Sequence, residues 1–148
     1  KTPKVLNTGG FTFAPVVCYE SIYGGFIAAQ CRQGAQVIFV ITNDGWWGNS
    51  PGHKQHATFA RLRAVETGKY VVRSANTGIS SVINQRGEVI KKTAYWKEDA
   101  FRATVQLNDQ PTFYVEYGDV IGRSFAFVFF LLLILTVVKY LRRFGTNV

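Results

Sequence analysis

Between Phe13 and Gly24 the chain reads FAPVVCYESIYG, an apolar approach that delivers one cysteine, Cys18, with the carboxylate of Glu20 two residues later. A thiol carried on a strand into an abrupt turn is exposed at a sheet edge, where it can act as a nucleophile. Backbone N–H groups at the start of the following helix would face whatever the thiol attacks and would favour its anionic form. Ser21 is placed to cap that helix, predicted from about Ile22 to Gln33. The same residues also fit an inert cysteine, because free cysteines are among the most buried residue types.

Three further groups of residues bear on chemistry. Trp46 and Trp47 sit in the glycine-bracketed loop Thr42-Asn43-Asp44-Gly45-Trp46-Trp47-Gly48. There they either cap a hydrophobic cleft or fold back onto the core. His53 and His56 lie three apart at a helix start, but nothing nearby completes a metal-ligand spacing, so hydrogen bonding or capping is expected of them. Glu66 falls near the end of the same helix, where a buried carboxylate needs a partner. A structural ion pair and a contribution to the active site are both open for it.

The elements that must position these residues read as α/β. Lys1 to Gly10 is polar and predicts a loop. Val37 to Ile41 is apolar without alternation, the pattern of a strand buried on both faces of a layered sheet. Its carboxyl end leads into the Trp-Trp loop, where open α/β sheets place ligand-contacting residues. Asn49-Ser50-Pro51 starts a helix over Gly52 to Thr67, closed by Gly68 and striped by Ala57, Ala60 and Ala64 for close packing on a sheet. Strands follow at Tyr70 to Ser74, Ser80 to Asn84 and Glu88 to Lys92, the last pair joined by a Gln85-Arg86-Gly87 turn. A final strand is expected over Ala100 to Leu107, and the hairpins make the sheet mixed.

Phe125 to Val138 is apolar throughout. Extended from Ser124 to Leu141, with Lys139 snorkelling, it reaches the range of about 17–25 residues that spans a bilayer. A buried core helix is the competing reading, but this run has no polar face. Lys139, Arg142 and Arg143 lie at its end, which places the C-terminus in the cytoplasm and the preceding domain on the outer side. Together with Arg123 these cations supply half of the net charge of +8. The rest is too diffuse for a nucleic-acid surface, and no aromatic-basic interleaving suggests base stacking.

Two cysteines make no disulfide scaffold; pairing of Cys18 with Cys31 is conceivable, though Cys31 is better read as packing on the helix after the elbow. The chain begins at Lys1 and contains no methionine, so it reads as the C-terminal part of something longer. The expected division is 1–118 for part of a catalytic domain, 119–141 for a transmembrane helix with its lead-in, and 142–148 for a cytoplasmic tail.

In this order and spacing, CYES followed by TNDGWWGNSPGHKQHATFARLRAVETGKYVVRSANTGISSVINQRGEVI resembles the carbon–nitrogen hydrolase (nitrilase) superfamily. More narrowly it is similar to the membrane branch of that superfamily, the apolipoprotein N-acyltransferases. The resemblance runs from about Pro15 to the end and includes Tyr117-Gly118-Asp119 and the closing apolar helix. It implies the C-terminal half of a four-layer α-β-β-α sandwich on the outer face of a bacterial inner membrane. It implies a Glu-Lys-Cys triad in which glutamate is the general base, lysine helps hold the oxyanion, and cysteine forms a thioester with an acyl group from a phospholipid. The acceptor would be the amine of a diacylglyceryl-cysteine at a lipoprotein N-terminus, with no cofactor and no metal. Cys18 matches the nucleophile, Tyr19 and Glu20 match the residues beside it, and the Trp46 loop matches one bordering the lipid cleft; Asn43 and Glu66 are further candidates for active-site support. The family's Glu and Lys lie well upstream, whereas only seventeen residues precede Cys18, none of them glutamate, and Lys1 and Lys4 match no motif. This chain alone is therefore expected to be inactive. A membrane-tethered amidase or nitrilase using water, and a non-catalytic membrane-anchored interaction module, are the alternatives.

Overall fold

The computed structural model describes residues 2–145, with side chains of the last helix to residue 142. Lys1 and the last three residues of the expected 142–148 tail lie outside them. The chain forms two units, Lys1–Gly118 and Asp119–Val148.

The first unit is a six-stranded sheet with strands in sequence order: β1 (Leu6–Asn7), β2 (Thr12–Val17), β3 (Val37–Thr42), β4 (Tyr70–Ala75), β5 (Ser81–Ile83) and β6 (Val89–Lys92). β2, β3 and β4 are parallel, and β1, β5 and β6 join antiparallel, so the sheet is mixed. Two helices make the parallel crossovers: α1 (Gly24–Arg32) between β2 and β3, and α2 (Gly52–Thr67) between β3 and β4. A parallel pair needs such a crossover, which is why helix and strand alternate over this stretch.

The core lies between the helices and one face of the sheet. Ala14 and Val16 of β2, Ile38 and Val40 of β3, and Val71 of β4 meet Ile27 and Cys31 of α1 and Ala60 and Ala64 of α2. Ala60 and Ala64 are fully buried, and their small side chains let α2 lie close against the strands. The opposite face carries Phe11, Phe13 and Phe39, with Phe13 and Phe39 edge to face at 5.1 Å. Val17 and Ile41 on that face are 55% and 63% exposed. The continuous apolar run of β3 predicts burial on both faces; on the second face Val37 is buried, Phe39 half-buried and Ile41 exposed.

Three local expectations are corrected. The predicted N-terminal loop contains β1, because Leu6 and Asn7 pair with Phe13 and Thr12. α1 starts at Gly24 rather than Ile22, because a 3-10 turn over Cys18–Ile22 intervenes and Ser21 is committed elsewhere. Ala100 to Leu107 forms no strand; its pattern is strand-like but no sheet edge pairs with it. Instead its end is pinned: the buried Lys69 Nζ donates to Asn108 O at 2.6 Å and Gln110 O at 2.9 Å. Asn108 Nδ2 donates to Gly68 O at 2.8 Å. Burial lowers the pKa of Lys69 below the usual lysine value, and the two carbonyls satisfy its donors. A short helix, α3 (Phe113–Tyr117), ends the first unit, capped by Thr112 Oγ1 accepting from Val115 N–H.

The second unit holds α4 (Val120–Gly145), of which Val120–Arg142 spans 23 residues at a mean hydropathy of 2.4. It is long and apolar enough to cross a membrane.

Gly68 closes α2 in the left-handed conformation at φ 65°, and a Cβ there would stand 2.9 Å from Thr112 Cγ2. Gly68→Ala is expected to destabilise the protein by about 1–2 kcal/mol from backbone strain alone. Thermal unfolding in detergent checks this; an unchanged melting temperature would refute the capping role.

Candidate active site

β2 ends at Val17, and the next residue, Cys18, takes φ 51°, a left-handed backbone that L residues other than glycine rarely adopt. This turns the chain out of the sheet into the 3-10 turn Cys18–Ile22 and leaves Cys18 half-buried at the carboxyl edge of the parallel strands. Glu20 folds back across the turn, its Oε2 accepting from Val17 N–H at 2.8 Å. Ser21 is fully buried, and its hydroxyl donates to Cys18 O at 2.8 Å.

The ends of β3 and β4 meet this turn through a charged cluster. Asp44, with no solvent exposure, accepts from Thr42 Oγ1 at 3.1 Å and from His56 Nδ1 at 2.9 Å through Oδ1. Its Oδ2 accepts from the Arg73 guanidinium in the middle of β4. Burial pushes the Asp44 carboxyl up. The hydrogen bond from His56 and the charge of Arg73 outweigh it and hold the carboxyl below its ordinary value. His56 Nε2 in turn stands 3.0 Å from Ser21 Oγ and 3.3 Å from Cys18 O. Gly78 closes over the cluster, since a Cβ there would lie 2.8 Å from Asp44 Cγ.

Aromatic rings form the outer wall. The Tyr19 ring stacks on His56 at 5.3 Å and on Trp47 at 6.2 Å, and Trp47 packs against Trp46 at 5.7 Å. Trp46 itself is 73% exposed, so it does not fold back into the core. Asn43 is exposed and turns the loop by accepting from Gly45 N–H at 3.1 Å. The two histidines part company: His53 stacks on Tyr95 at 3.7 Å while His56 joins the charged cluster.

Cys18, Tyr19, Glu20, Asn43 and Trp46 thus gather at one end of the sheet. Glu66 is elsewhere, ten residues or about 15 Å along α2 from His56. It pairs with Arg63 at 3.1 Å, beside Gly24 at the start of α1, and Arg63 Nη1 also donates to Ile22 O at 3.2 Å. Asp44, Arg73 and Ser21 were not singled out as site residues by sequence. The available signal was Arg73 within Val71-Val72-Arg73-Ser74, since a cation in a buried strand requires a buried anion.

A half-buried thiol on a strained turn, backed by charge and walled by aromatic rings, can form a covalent adduct with an acyl group on an apolar substrate. Asp44 is committed to Arg73 and His56 and is not placed to act as its base.

A mixed α/β sheet with a cysteine on the turn after a parallel strand is the scaffold of this unit. Residues 1–111 match the family model described as carbon-nitrogen hydrolase, and the chain belongs to that family. The chain is 44% identical over 113 residues to the apolipoprotein N-acyltransferase of Agrobacterium fabrum, covering 76% of this chain and 21% of that protein. It is 38% identical over 146 residues to that of Sinorhizobium medicae, covering 99% of this chain and 26% of that one. The chain therefore spans only about a fifth to a quarter of the length of these curated relatives. Among solved structures, an amidase from Nesterenkonia sp. matches with a TM-score of 0.56 at 21% identity, over 79% of this chain and 44% of that one. Nit3 of Saccharomyces cerevisiae, a member of the nitrilase superfamily, matches with a TM-score of 0.54 at 20% identity, over 66% of this chain and 39% of that one. Both share the fold of the first unit.

Two outcomes test the site. Both cysteines are free, but Cys31 is buried and burial pushes its thiol up to about 11. Iodoacetamide at pH 8 should label Cys18 and spare Cys31 by peptide mapping; equal labelling in the native protein would contradict this arrangement. A carboxyl held below its ordinary value contributes stability that is present above the unfolded carboxylate range and is lost as pH falls through the folded value. Asp44→Asn should therefore flatten the acid limb of a stability-against-pH curve. It should also cost about 3–5 kcal/mol near neutrality by leaving Arg73 without its charged partner.

Proposed function

We propose that this chain is the cysteine-bearing part of an N-acyltransferase of bacterial lipoprotein maturation. The enzyme moves a fatty acyl chain from a phospholipid to the N-terminal amine of a diacylglyceryl-cysteine in apolipoproteins. The observation that carries this reading is Cys18 at φ 51° on the end of a parallel strand, next to Tyr19 and its stacked Trp47, in a chain that also carries an apolar helix of spanning length. The names of the curated relatives support it.

The reaction runs in two steps. The Cys18 sulfur attacks the carbonyl carbon of the phospholipid ester; the carbon–oxygen bond breaks, the lysophospholipid oxygen takes a proton, and an acyl thioester remains. The acceptor amine then attacks the thioester carbonyl, loses a proton to the general base, and expels the Cys18 thiolate as the amide forms. The aromatic wall of Tyr19, Trp46 and Trp47 borders the acyl chain, and Glu20 holds the turn that presents the sulfur. The general base and the oxyanion-binding lysine are supplied by sequence upstream of this chain, so the chain alone is inactive. The sheet face bearing Phe13, Phe39 and Ile41 is where the other half of the sandwich packs.

Residues 1–118 form the C-terminal part of the catalytic domain, 119–141 the membrane span with its lead-in, and 142–148 the tail. The protein sits in the inner membrane with the catalytic domain outside and the tail in the cytoplasm, on the positive-inside argument from Lys139, Arg142 and Arg143.

The test is intact-mass spectrometry of the full-length protein with phospholipid in detergent micelles. An acyl adduct on Cys18, discharged by a diacylglyceryl-cysteine peptide and absent in Cys18→Ser, is the expected result. An adduct discharged only by water would favour the membrane-tethered amidase or nitrilase. No adduct and no alkylation of Cys18 would leave the non-catalytic module.

A further inference from the structure

We propose that His56 is a positioning residue for the Cys18 thiol: clamped by Asp44 and Arg73, it holds the strained turn by its contacts to Cys18 O and Ser21 Oγ. The inference rests on the reading of Cys18 as the nucleophile.

The chemistry of each atom fixes the direction of the clamp. The Asp44 carboxylate only accepts, so the nitrogen 2.9 Å from it, His56 Nδ1, carries a proton. Arg73 only donates, and its 3.3 Å approach to Nδ1 sets two donors side by side, both served by Asp44. The ring plane is fixed further by the stacked Tyr19 at 5.3 Å. Held so, the other nitrogen, Nε2, faces Ser21 Oγ at 3.0 Å and Cys18 O at 3.3 Å. Cys18 O also receives the Ser21 hydroxyl at 2.8 Å. The His56 ring edge and the Ser21 hydroxyl thus close on the same carbonyl oxygen.

The carbonyl so gripped belongs to the one residue in the turn with a positive φ, 51°. A non-glycine residue keeps that conformation only when its surroundings over-determine it. Two contacts to one carbonyl oxygen, both from buried side chains, are such a constraint. Without them Cys18 can relax toward ordinary backbone angles and carry its sulfur off the sheet edge. Asp44 and Arg73 reach across β3 and β4, so the clamp ties the sulfur's position to the parallel strands rather than to the loop alone.

A pair of substitutions separates positioning from structure. In the full-length protein, His56→Asn keeps an amide near Nδ1 to meet Asp44 and leaves nothing at Nε2; His56→Gln keeps a polar amide where Nε2 stands. The rate of Cys18 alkylation by iodoacetamide, located by peptide mapping, is read with kcat and KM for thioester formation from phospholipid. His56→Asn should slow alkylation and kcat each about tenfold at unchanged KM, while His56→Gln returns both to within about threefold of wild type. Wild-type alkylation in His56→Asn, or losses in both variants that only track their melting temperatures, would overturn the proposal. Should His56→Asn fail to fold, Ser21→Ala takes its place, expected to slow alkylation about threefold, and an unchanged rate there overturns it equally. A wild-type protein that forms no acyl adduct, yet whose Cys18 alkylation follows His56 as above, would refute the acyltransferase reading and support the positioning role.

Discussion

The buried pairing of Asp44 with Arg73 is the constraint on which the rest of this structure depends. Arg73 lies in the middle of a parallel strand, paired in register with Val40 of β3, where a cation without a counter-charge would be prohibitively costly. Asp44 answers it from the loop after β3, and the same carboxylate fixes His56 on α2. Three elements that carry no chemistry of their own are thereby locked at the end of the sheet where Cys18 emerges. Breaking such a pair is far more damaging than its net contribution suggests, because either partner alone is a buried unpaired charge.

Around that lock the sheet divides its labour by face. The helix-side residues, Ala14, Val16, Ile38, Val40 and Val71, form the dry core with α1 and α2. The other face keeps Phe11, Phe13 and Phe39 clustered and leaves Val17 and Ile41 open. A parallel strand apolar on both faces is the composition of a sheet with a layer on each side.

Much of the scaffold was legible from residues alone. α2 runs over Gly52–Thr67 with Gly68 as its left-handed cap, as alanine spacing and a terminal glycine dictate. The strand β3 and the turn into β6 follow from an unbroken apolar run and a Gly87 at φ 77°. What failed was local patterning that tertiary contacts overruled. Ser21 has the right type for a helix cap but bonds to Cys18 O and faces His56 instead. Ala100 to Leu107 has a strand's composition but no edge to pair with, and Lys69 and Asn108 pin its end as irregular chain. Glu66, open between two roles by sequence, lies in the Arg63 ion pair.

The sequence by itself determined the order of the elements from β2 to β6, the turn after β2, a tryptophan-bearing loop and a helix apolar enough to span a membrane. These are set by short-range periodicity, by turn residues and by hydrophobic length, all of which are written along the chain. Only the tertiary structure decided that Asp44, His56, Arg73 and Ser21, spread over more than fifty residues, converge behind Cys18. Burial demands that each charge and donor find a partner, but which partner it finds depends on which strand ends the fold brings together.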